Sequence, residues 1–225
     1  MSQLPICSPV HATCKPGRTL SATVFIIIAL LCPTVQAEFL GLLPGREATP
    51  VNVTDLSVEL GFVTGRLEGS DYQNIAARVN YRLSPEMVLT ATVGTGEFGL
   101  TDGVPLGVGL SYHLSNQRIS EKVAIAGRVS YHFGDFALRQ LEGEISSFML
   151  EVLVSGAKPL MSNGLTWYSN VGYHLITVDF GRSDSTNEAG IGGGLVLPAG
   201  LGEAYVGAEF IDEAMLGIGV RYFVQ

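Results

Sequence analysis

A regular alternation of apolar and polar residues runs through the chain from about residue 53 to its end. The last segment is the clearest case: Leu216, Ile218, Val220, Tyr222 and Val224 alternate with Gly217, Gly219, Arg221 and Phe223. Successive side chains of a β-strand point to opposite faces, so a period of two predicts a strand with one apolar and one mixed face. We therefore expect residues 215–225 to form a final strand whose apolar face continues to its end.

Nine further segments show the same period. Their apolar positions begin at Leu56, Ile75, Met87, Leu106, Val123, Phe148, Leu165, Ile191 and Ala204. Short breaks rich in turn-forming residues separate them, and links this short favour an antiparallel meander. The pattern predicts about ten strands. Eight is the alternative, because the glycine-rich eighth and the short ninth segments alternate least clearly. The breaks at 134–143 and 181–187 are expected to be outer loops that form a contact surface.

The composition indicates what the apolar face contacts. Hydrophobic residues make up 47% of the chain and charged residues 15%, whereas soluble domains carry about 25% charged residues. No run of 18 apolar residues follows residue 37, which excludes a helical membrane domain there. An apolar composition without long apolar runs is typical of a closed barrel whose outer face contacts lipid.

Aromatic residues on the apolar face support this interpretation. Tyr81, Tyr112, Trp167 and Tyr222 fall near one end of the predicted strands, and Tyr131 and Phe133 fall near the other end. Lipid-facing barrels place aromatic side chains at both membrane interfaces. These six residues therefore predict two aromatic girdles.

The N-terminal segment has the features of a cleaved secretory signal peptide, residues 1–37. Lys15 and Arg18 precede an apolar run from Leu20 to Leu31, and Ala37 ends a small-residue cleavage site. A membrane anchor is the alternative, but the run is shorter than the roughly 20 residues of a span. Residues 38–52 are then a periplasmic lead-in, and residues 53–225 form the barrel.

Removing the signal peptide changes the chemistry of the remaining chain. All three cysteines lie before residue 37, so the mature chain forms no disulfide. The signal carries two basic residues and no acids, so the rest is more acidic than the net charge of −8 of the full sequence. Such a charge excludes nucleic acid as a natural partner.

The order of Gly219, Tyr222 and Val224 resembles the C-terminal signature of bacterial outer-membrane β-barrels, in which a glycine, an aromatic and a terminal aromatic alternate. Val224 stands where that family has an aromatic residue, and Gln225 follows it. Resemblance to the small, eight- to ten-stranded members implies an all-β, closed, antiparallel up-and-down transmembrane barrel. It also implies a location in the Gram-negative outer membrane, contact with lipid and lipopolysaccharide, and recognition of the last strand by the barrel-assembly machinery. It does not imply an oligomeric state.

The inward face collects six charged residues. These are Glu59, Arg78, Arg128, Glu151, Glu209 and Arg221. An unpaired buried charge costs several kcal/mol, so the three acids and three arginines are expected to pair across the lumen. Because small barrels are filled by their own side chains, we expect a charged network that plugs the lumen. A narrow ion path lined by the same groups is the alternative.

Three histidines, His113, His132 and His174, share the inward face. His113 and His132 are expected to differ in height by roughly 20 Å, from the rise per residue and the strand tilt. Metal–ligand bonds are about 2 Å long, so the three histidines are not expected to form a metal site. The glycine pattern from Gly94 to Gly99 has no βαβ context, so no dinucleotide or other cofactor is expected.

The stretch His113-Leu-Ser115-Asn116 resembles the His-x-Ser-Asn motif of the lipid A deacylases, which are also outer-membrane barrels. The resemblance implies that Ser115 is a nucleophile and His113 its base. The predicted topology places both at the periplasmic end, however, whereas lipid A lies in the outer leaflet. We therefore expect a non-enzymatic barrel with a structural, surface-interaction or small-pore role. A deacylase-like esterase is the alternative.

Overall fold

The computed structural model describes residues 55–67, 70–114, 123–138, 141–156, 160, 163–179, 181, 183–211 and 213–224. The predicted signal peptide (1–37) and lead-in (38–52) lie outside these residues, and so does Ser115. Within the described part of the chain, no helix is long and apolar enough to cross a membrane.

Ten antiparallel strands form a closed barrel, which confirms the expected fold class and strand number. They are β1 (Leu56–Leu67), β2 (Ser70–Ser84), β3 (Met87–Phe98), β4 (Thr101–His113), β5 (Val123–Leu138), β6 (Leu141–Gly156), β7 (Thr166–Asp179), β8 (Ser183–Ala199), β9 (Gly202–Phe210) and β10 (Ala214–Val224). Each strand pairs with its neighbours in sequence, and β1 pairs with β10 to close the sheet.

The barrel has two distinct ends. Leu56 and Val224 are paired at the end that holds both termini, which we call the periplasmic end because the predicted topology places both termini in the periplasm. At the opposite, outer end, two or three residues join the strands of each hairpin. The longest connections, residues 114–122 and 157–165, lie at the periplasmic end.

Two of the tight turns depend on glycine. Gly99 joins β3 to β4 with φ of 58°, and Gly200 joins β8 to β9 with φ of 61°. These dihedrals lie in the left-handed region, where a residue with a β-carbon is strained and glycine is not. Glycine at these positions therefore allows adjacent strands to pair directly after a short turn.

The prediction of outer loops at 134–143 and 181–187 is wrong. β5 continues to Leu138, β6 begins at Leu141, and β8 begins at Ser183. Gly134 pairs with Ile145 within the β5–β6 ladder. Its missing side chain leaves room for neighbours, since a β-carbon there would lie 3.0 Å from the ring of Phe136. Gly134 and Gly143 therefore belong to strands and do not interrupt them.

The polarity of the barrel is inverted relative to a soluble protein. Outward side chains are mostly large, apolar and exposed, among them Leu60, Val79, Val108, Leu150, Val152, Val171, Ile191, Ile218 and Val220. Many inward side chains are polar and buried, among them Glu59, Asn74, Arg78, Thr92, Arg128, His132, Glu151, Asn170 and His174. A closed sheet satisfies its backbone hydrogen bonds internally, so it can present an apolar surface to lipid. The chain forms a transmembrane β-barrel.

Candidate functional site in the lumen

The lumen contains a buried charge cluster centred on Glu59. On β1, Glu59 is paired directly with Arg78 of β2 and Arg221 of β10, so the register alone brings the three side chains together. Arg78 Nη2 donates to Glu59 Oε2, and Arg221 Nε donates to Glu59 Oε1 over 2.9 Å. Glu59 is 1% exposed, so both oxygens of its carboxylate are neutralised within the barrel.

Neighbouring polar groups extend the Glu59 cluster. Asn80 donates to Glu59 Oε1, and Arg221 Nη1 donates to Glu203 Oε2 over 2.8 Å. The Arg221 guanidinium carbon lies 6.0 Å from the centroid of the Tyr205 ring, at the limit of a cation–π contact. The cluster therefore joins β1, β2, β9 and β10, the four strands around the closing seam.

A second polar group is centred on Asn170 of β7 and reaches from β6 to β9. Asn170 Nδ2 donates to Glu151 Oε1 over 3.1 Å and to Glu209 Oε1 over 3.0 Å. Arg128 of β5 is paired directly with Glu151 of β6. The six predicted lumen charges thus divide into two groups, with Glu59, Arg78 and Arg221 in one and Arg128, Glu151 and Glu209 in the other.

Sequence reasoning missed several members of these groups. Asn80 and Asn170 have inward parity, but the predicted lumen network included only charged residues. Glu203 also has inward parity, and it was missed because it lies just before Ala204, where the ninth alternating segment was predicted to begin. A search for every polar side chain of inward parity would have found all three.

All three histidines are buried in the lumen, with His174 fully enclosed. His113 is paired with Ala126 of β5, and His132 lies six residues further along that strand. The two histidines are therefore separated along the strand direction. His132 and His174 lie on the two strands that flank β6, where they are opposite Ser147 and Met149. Within the described residues, no three His, Cys, Asp or Glu side chains are arranged to hold a metal ion.

Large inward side chains lie against glycines of the neighbouring strands. A β-carbon added to Gly107 would overlap the His132 imidazole, and one added to Gly219 would overlap the Tyr205 ring. A β-carbon added to Gly172 would lie 3.0 Å from Glu151 Cγ. Glycines on the inner surfaces of β4, β7 and β10 therefore provide space that the long lumen side chains occupy.

An apolar plug lies above the polar groups, towards the outer end. Phe136, Ile145 and Ile176 form one buried cluster, and Phe98, Val178 and Ile211 pack against it. A second cluster of Val63, Tyr72, Ala76, Met149 and Met215 shares Phe98 and Ile211 with the first. We call these two clusters the outer plug. The sequence did not predict them, because apolar residues were assigned to the lipid face.

The predicted girdle residues occupy the outer surface of the barrel. Tyr81, Tyr112 and Tyr222 lie within three residues of the periplasmic ends of β2, β4 and β10, and Trp167 is the second residue of β7. Tyr131 and Phe133 of β5 stack with their ring centroids 6.1 Å apart. On the same face of β5 the next residue is Asp135, which is exposed, so Tyr131 and Phe133 lie at the outer limit of the apolar belt.

The candidate esterase pair is only partly described. His113 is the last residue of β4 and is 8% exposed. Its side chain faces the lumen at the periplasmic end, as the predicted topology requires. Ser115 lies outside the described residues, so the pairing of Ser115 with His113 stays a prediction.

A closed antiparallel barrel with an apolar belt and a polar lumen has the architecture of outer-membrane proteins. Solved structures of such barrels resemble it. The translocator domain of the autotransporter NalP from Neisseria meningitidis is 13% identical over 78% of this chain and 91% of that one, with a TM-score of 0.43. The β-domain of the Bordetella autotransporter BrkA is 8% identical over 76% and 99%, with a TM-score of 0.42.

The N-terminal β-barrel domain of Pseudomonas aeruginosa OprF is 14% identical over 75% of this chain and 97% of that one, with a TM-score of 0.31. No protein-family model matches the chain, and no curated protein matches it. Similarity at this level carries no argument about function, which must rest on the residues of this barrel.

Proposed function

We propose that the protein is a closed, non-conducting outer-membrane barrel with a structural role, and that its outer end serves as a surface for interaction. The observation that supports this most directly is the outer plug. Phe136 and Ile176 are at most 1% exposed, although they lie near the barrel mouth, where a pore would be open to water. A lumen closed by packed apolar side chains has no continuous polar path for ions.

The polar groups below the plug support the same function. Glu59 is bound by two arginines, and Asn170 bridges two glutamates. The Glu59 carboxylate is held by arginines and the Glu151 and Glu209 carboxylates share the Asn170 amide, so these oxygens are less available to coordinate a passing ion. The narrow ion path is therefore the less favoured alternative.

Export and assembly complete the proposal. Residues 1–37 would direct secretion, and residues 38–52 would remain in the periplasm. The last strand, with Gly219 and Tyr222, would be recognised by the barrel-assembly machinery, and the apolar belt would contact lipid and lipopolysaccharide. The deacylase alternative has no support from the described residues beyond the inward position of His113.

Conductance across planar bilayers tests the closed lumen. The parent barrel and the Arg128→Ala variant should both insert without producing current steps, because the outer plug remains in place in each. The protein is delivered to the bilayer from proteoliposomes, and recovery of heat-modifiable barrel from those proteoliposomes controls for insertion. Current steps in the parent whose size changes in Arg128→Ala would establish the ion path and contradict the proposal.

A further inference from the structure

One ladder of the barrel wall is interrupted away from the rim. β3 and β4 pair on both sides of the point where Gly94 and Thr95 lie opposite Pro105 and Val104, but these two pairs are absent from the ladder. The other ladders of the described strands run without such a gap, apart from a register irregularity at the periplasmic rim of β2 and β3. We call Gly94, Thr95, Val104 and Pro105 the β3–β4 gap.

The proline at position 105 explains the gap. Because proline has no backbone N–H, Pro105 cannot donate a ladder hydrogen bond to β3. Proline in sheets is normally confined to edge strands, strand starts and bulges. Pro105, however, lies within β4, a strand that is paired on both sides. Backbone groups that a ladder leaves unpaired are costly in lipid, so the depth of the gap matters.

The gap lies at the outer limit of the apolar belt. Pro105 is paired with Gly134 of β5, and Gly134 lies between the outward Phe133 of the belt and the outward, exposed Asp135. The outward Val104 is apolar and 56% exposed. The β3–β4 gap therefore reaches the lipid surface close to the level at which hydrocarbon meets the headgroups.

The inner side of the gap carries little side-chain volume, because Gly94 and Gly103 face the lumen beside Pro105. Two side chains from the flanking strands cover these glycines. A β-carbon at Gly94 would lie 2.7 Å from Asn74 Oδ1, and one at Gly103 would overlap the Phe136 ring. Displacement of the Asn74 and Phe136 side chains would therefore connect the gap with the interior of the barrel.

Asn74 is the unusual member of this cover. Its side chain is 1% exposed, and neither its amide nitrogen nor its amide oxygen has a hydrogen-bond partner among the described residues. Its surroundings are apolar, since Val63 is its partner on β1, and Tyr72 and Ala76 flank it on the inner face of β2. A buried amide without a partner is destabilising. A ligand hydroxyl group suits it, because the amide can both donate and accept.

The charges near the gap disfavour an anionic ligand. Glu97 and Asp102 are paired with each other on the β3–β4 hairpin, and Asp135 is paired with Val104 of the gap. All three carboxylates are exposed, and a ligand carboxylate beside them would be repelled. An apolar chain with one neutral hydrogen-bonding group fits the gap better.

We propose that the β3–β4 gap is a lateral entrance through which a long-chain alcohol passes from the lipid into the barrel. Its hydroxyl group would be bound by the Asn74 amide, and its chain would lie beside Phe136. This binding site goes beyond the structural role. It does not depend on whether the lumen conducts ions, because the passage crosses the wall and does not follow the barrel axis.

A long-chain alcohol with a photoreactive diazirine on its chain tests the proposal on the full barrel in phosphatidylcholine vesicles. We expect saturable labelling of inward side chains beside the gap, above all Phe136. Unlabelled alcohol should compete, and the carboxylate of equal chain length should compete about tenfold more weakly. Labelling confined to outward residues such as Val104 would indicate ordinary lipid contact and would overturn the proposal, as would equal competition by the carboxylate.

A reversible cross-link shows whether the alcohol enters through the gap. Thr95→Cys with Val104→Cys places two thiols across the gap, in a chain whose own three cysteines are changed to serine. Oxidation should lower the labelling of Phe136 several-fold, and reduction should restore it. The control pair, Ala91→Cys with Val108→Cys, lies within the intact ladder and should leave labelling unchanged. Equal labelling of the oxidised and reduced gap variant would overturn the entrance.

Asn74→Leu tests the bound hydroxyl group. Leucine fills the site without a hydrogen-bonding group, so the alcohol should bind about tenfold more weakly. A diazirine alkane of equal length should label Phe136 to the same extent in the parent and in Asn74→Leu. Unchanged binding of the alcohol, or equal losses for the alcohol and the alkane, would contradict the assignment of Asn74.

Discussion

Glu59 and Arg221 are separated by 162 residues in the chain and form an ion pair of 2.9 Å in the lumen. Glu59 lies on the first strand and Arg221 on the last, where the register places them directly opposite each other. The pair therefore spans the seam at which the sheet closes. A long-range contact of this kind forms only once both ends of the barrel are in place, so it stabilises the closed state specifically.

Removing the Glu59 carboxylate should destabilise the closed barrel. In Glu59→Gln, Arg78 and Arg221 would face each other in a buried site without their shared counter-ion, and breaking a buried ion pair typically costs about 3–5 kcal/mol. The loss of folding free energy is measured by urea titration, with the folded fraction read from the gel bands of folded and unfolded protein.

Glu203→Gln is the matched control for Glu59→Gln. The Glu203 side chain also binds Arg221, but it is 25% exposed, so its loss should cost about 1 kcal/mol or less. Equal destabilisation by the two variants would contradict the central role of Glu59.

A methyl group added inside the lumen should be far more harmful than one added outside. In Gly107→Ala the new β-carbon would overlap the His132 ring. In Gly127→Ala no atom of another residue beyond its chain neighbours would lie within 4 Å of the new β-carbon. Overpacking of this kind costs about 1–3 kcal/mol. We expect Gly107→Ala to lower the unfolding midpoint and Gly127→Ala to change it little. Similar midpoints for the two variants would indicate a lumen with room to spare, contrary to a filled barrel.

The period of two in the sequence was sufficient to predict ten strands, their antiparallel order and the inward position of residues such as Glu59 and Arg128. Alternation has this power because one face contacts lipid and the other is enclosed, so each face needs its own kind of side chain. The same rule fails near the outer end, where the polarity of the two faces is reversed and the outward Asp135 and Glu144 are polar and exposed. Phe136, Ile145 and Ile176 point inward and pack on one another, so β5 and β6 were predicted too short at this end.

The partners within the lumen could not be predicted from parity. Whether Glu59 meets Arg78 or Arg128 depends on strand register and on how many strands separate the two residues around the barrel. Register in turn depends on the lengths of turns such as those at Gly99 and Gly200. The sequence alone does not show which glycines form turns and which lie within strands. Gly99 forms a turn, whereas Gly107 lies within a strand and makes room for His132.

The position of Trp167 in the bilayer can be measured directly, because it is the single tryptophan of the chain. Its place as the second residue of β7 puts it near the periplasmic interface, where the amphipathic indole ring is favoured. We expect quenching of its fluorescence to be strongest with bromine atoms near the lipid carbonyls. Strongest quenching by bromine near the ends of the acyl chains would place it at the bilayer centre and would exclude the girdle.

The same substitution made at two depths of the outer surface tests the limits of the apolar belt. Val152 of β6 faces lipid with 45% of its side chain exposed, and Asn187 of β8 lies on the outward face above the belt. Arginine at the bilayer midplane costs a barrel about 2–4 kcal/mol, falling to about 0–1 kcal/mol near the interface. Val152→Arg should therefore strongly reduce the stability of the folded barrel in lipid vesicles, and Asn187→Arg should leave it nearly unchanged.

In detergent micelles, which adapt to a charged side chain more easily than a bilayer does, the difference between the two variants should shrink. A large effect of Asn187→Arg would place Asn187 within the hydrocarbon and would contradict an apolar belt that ends below it.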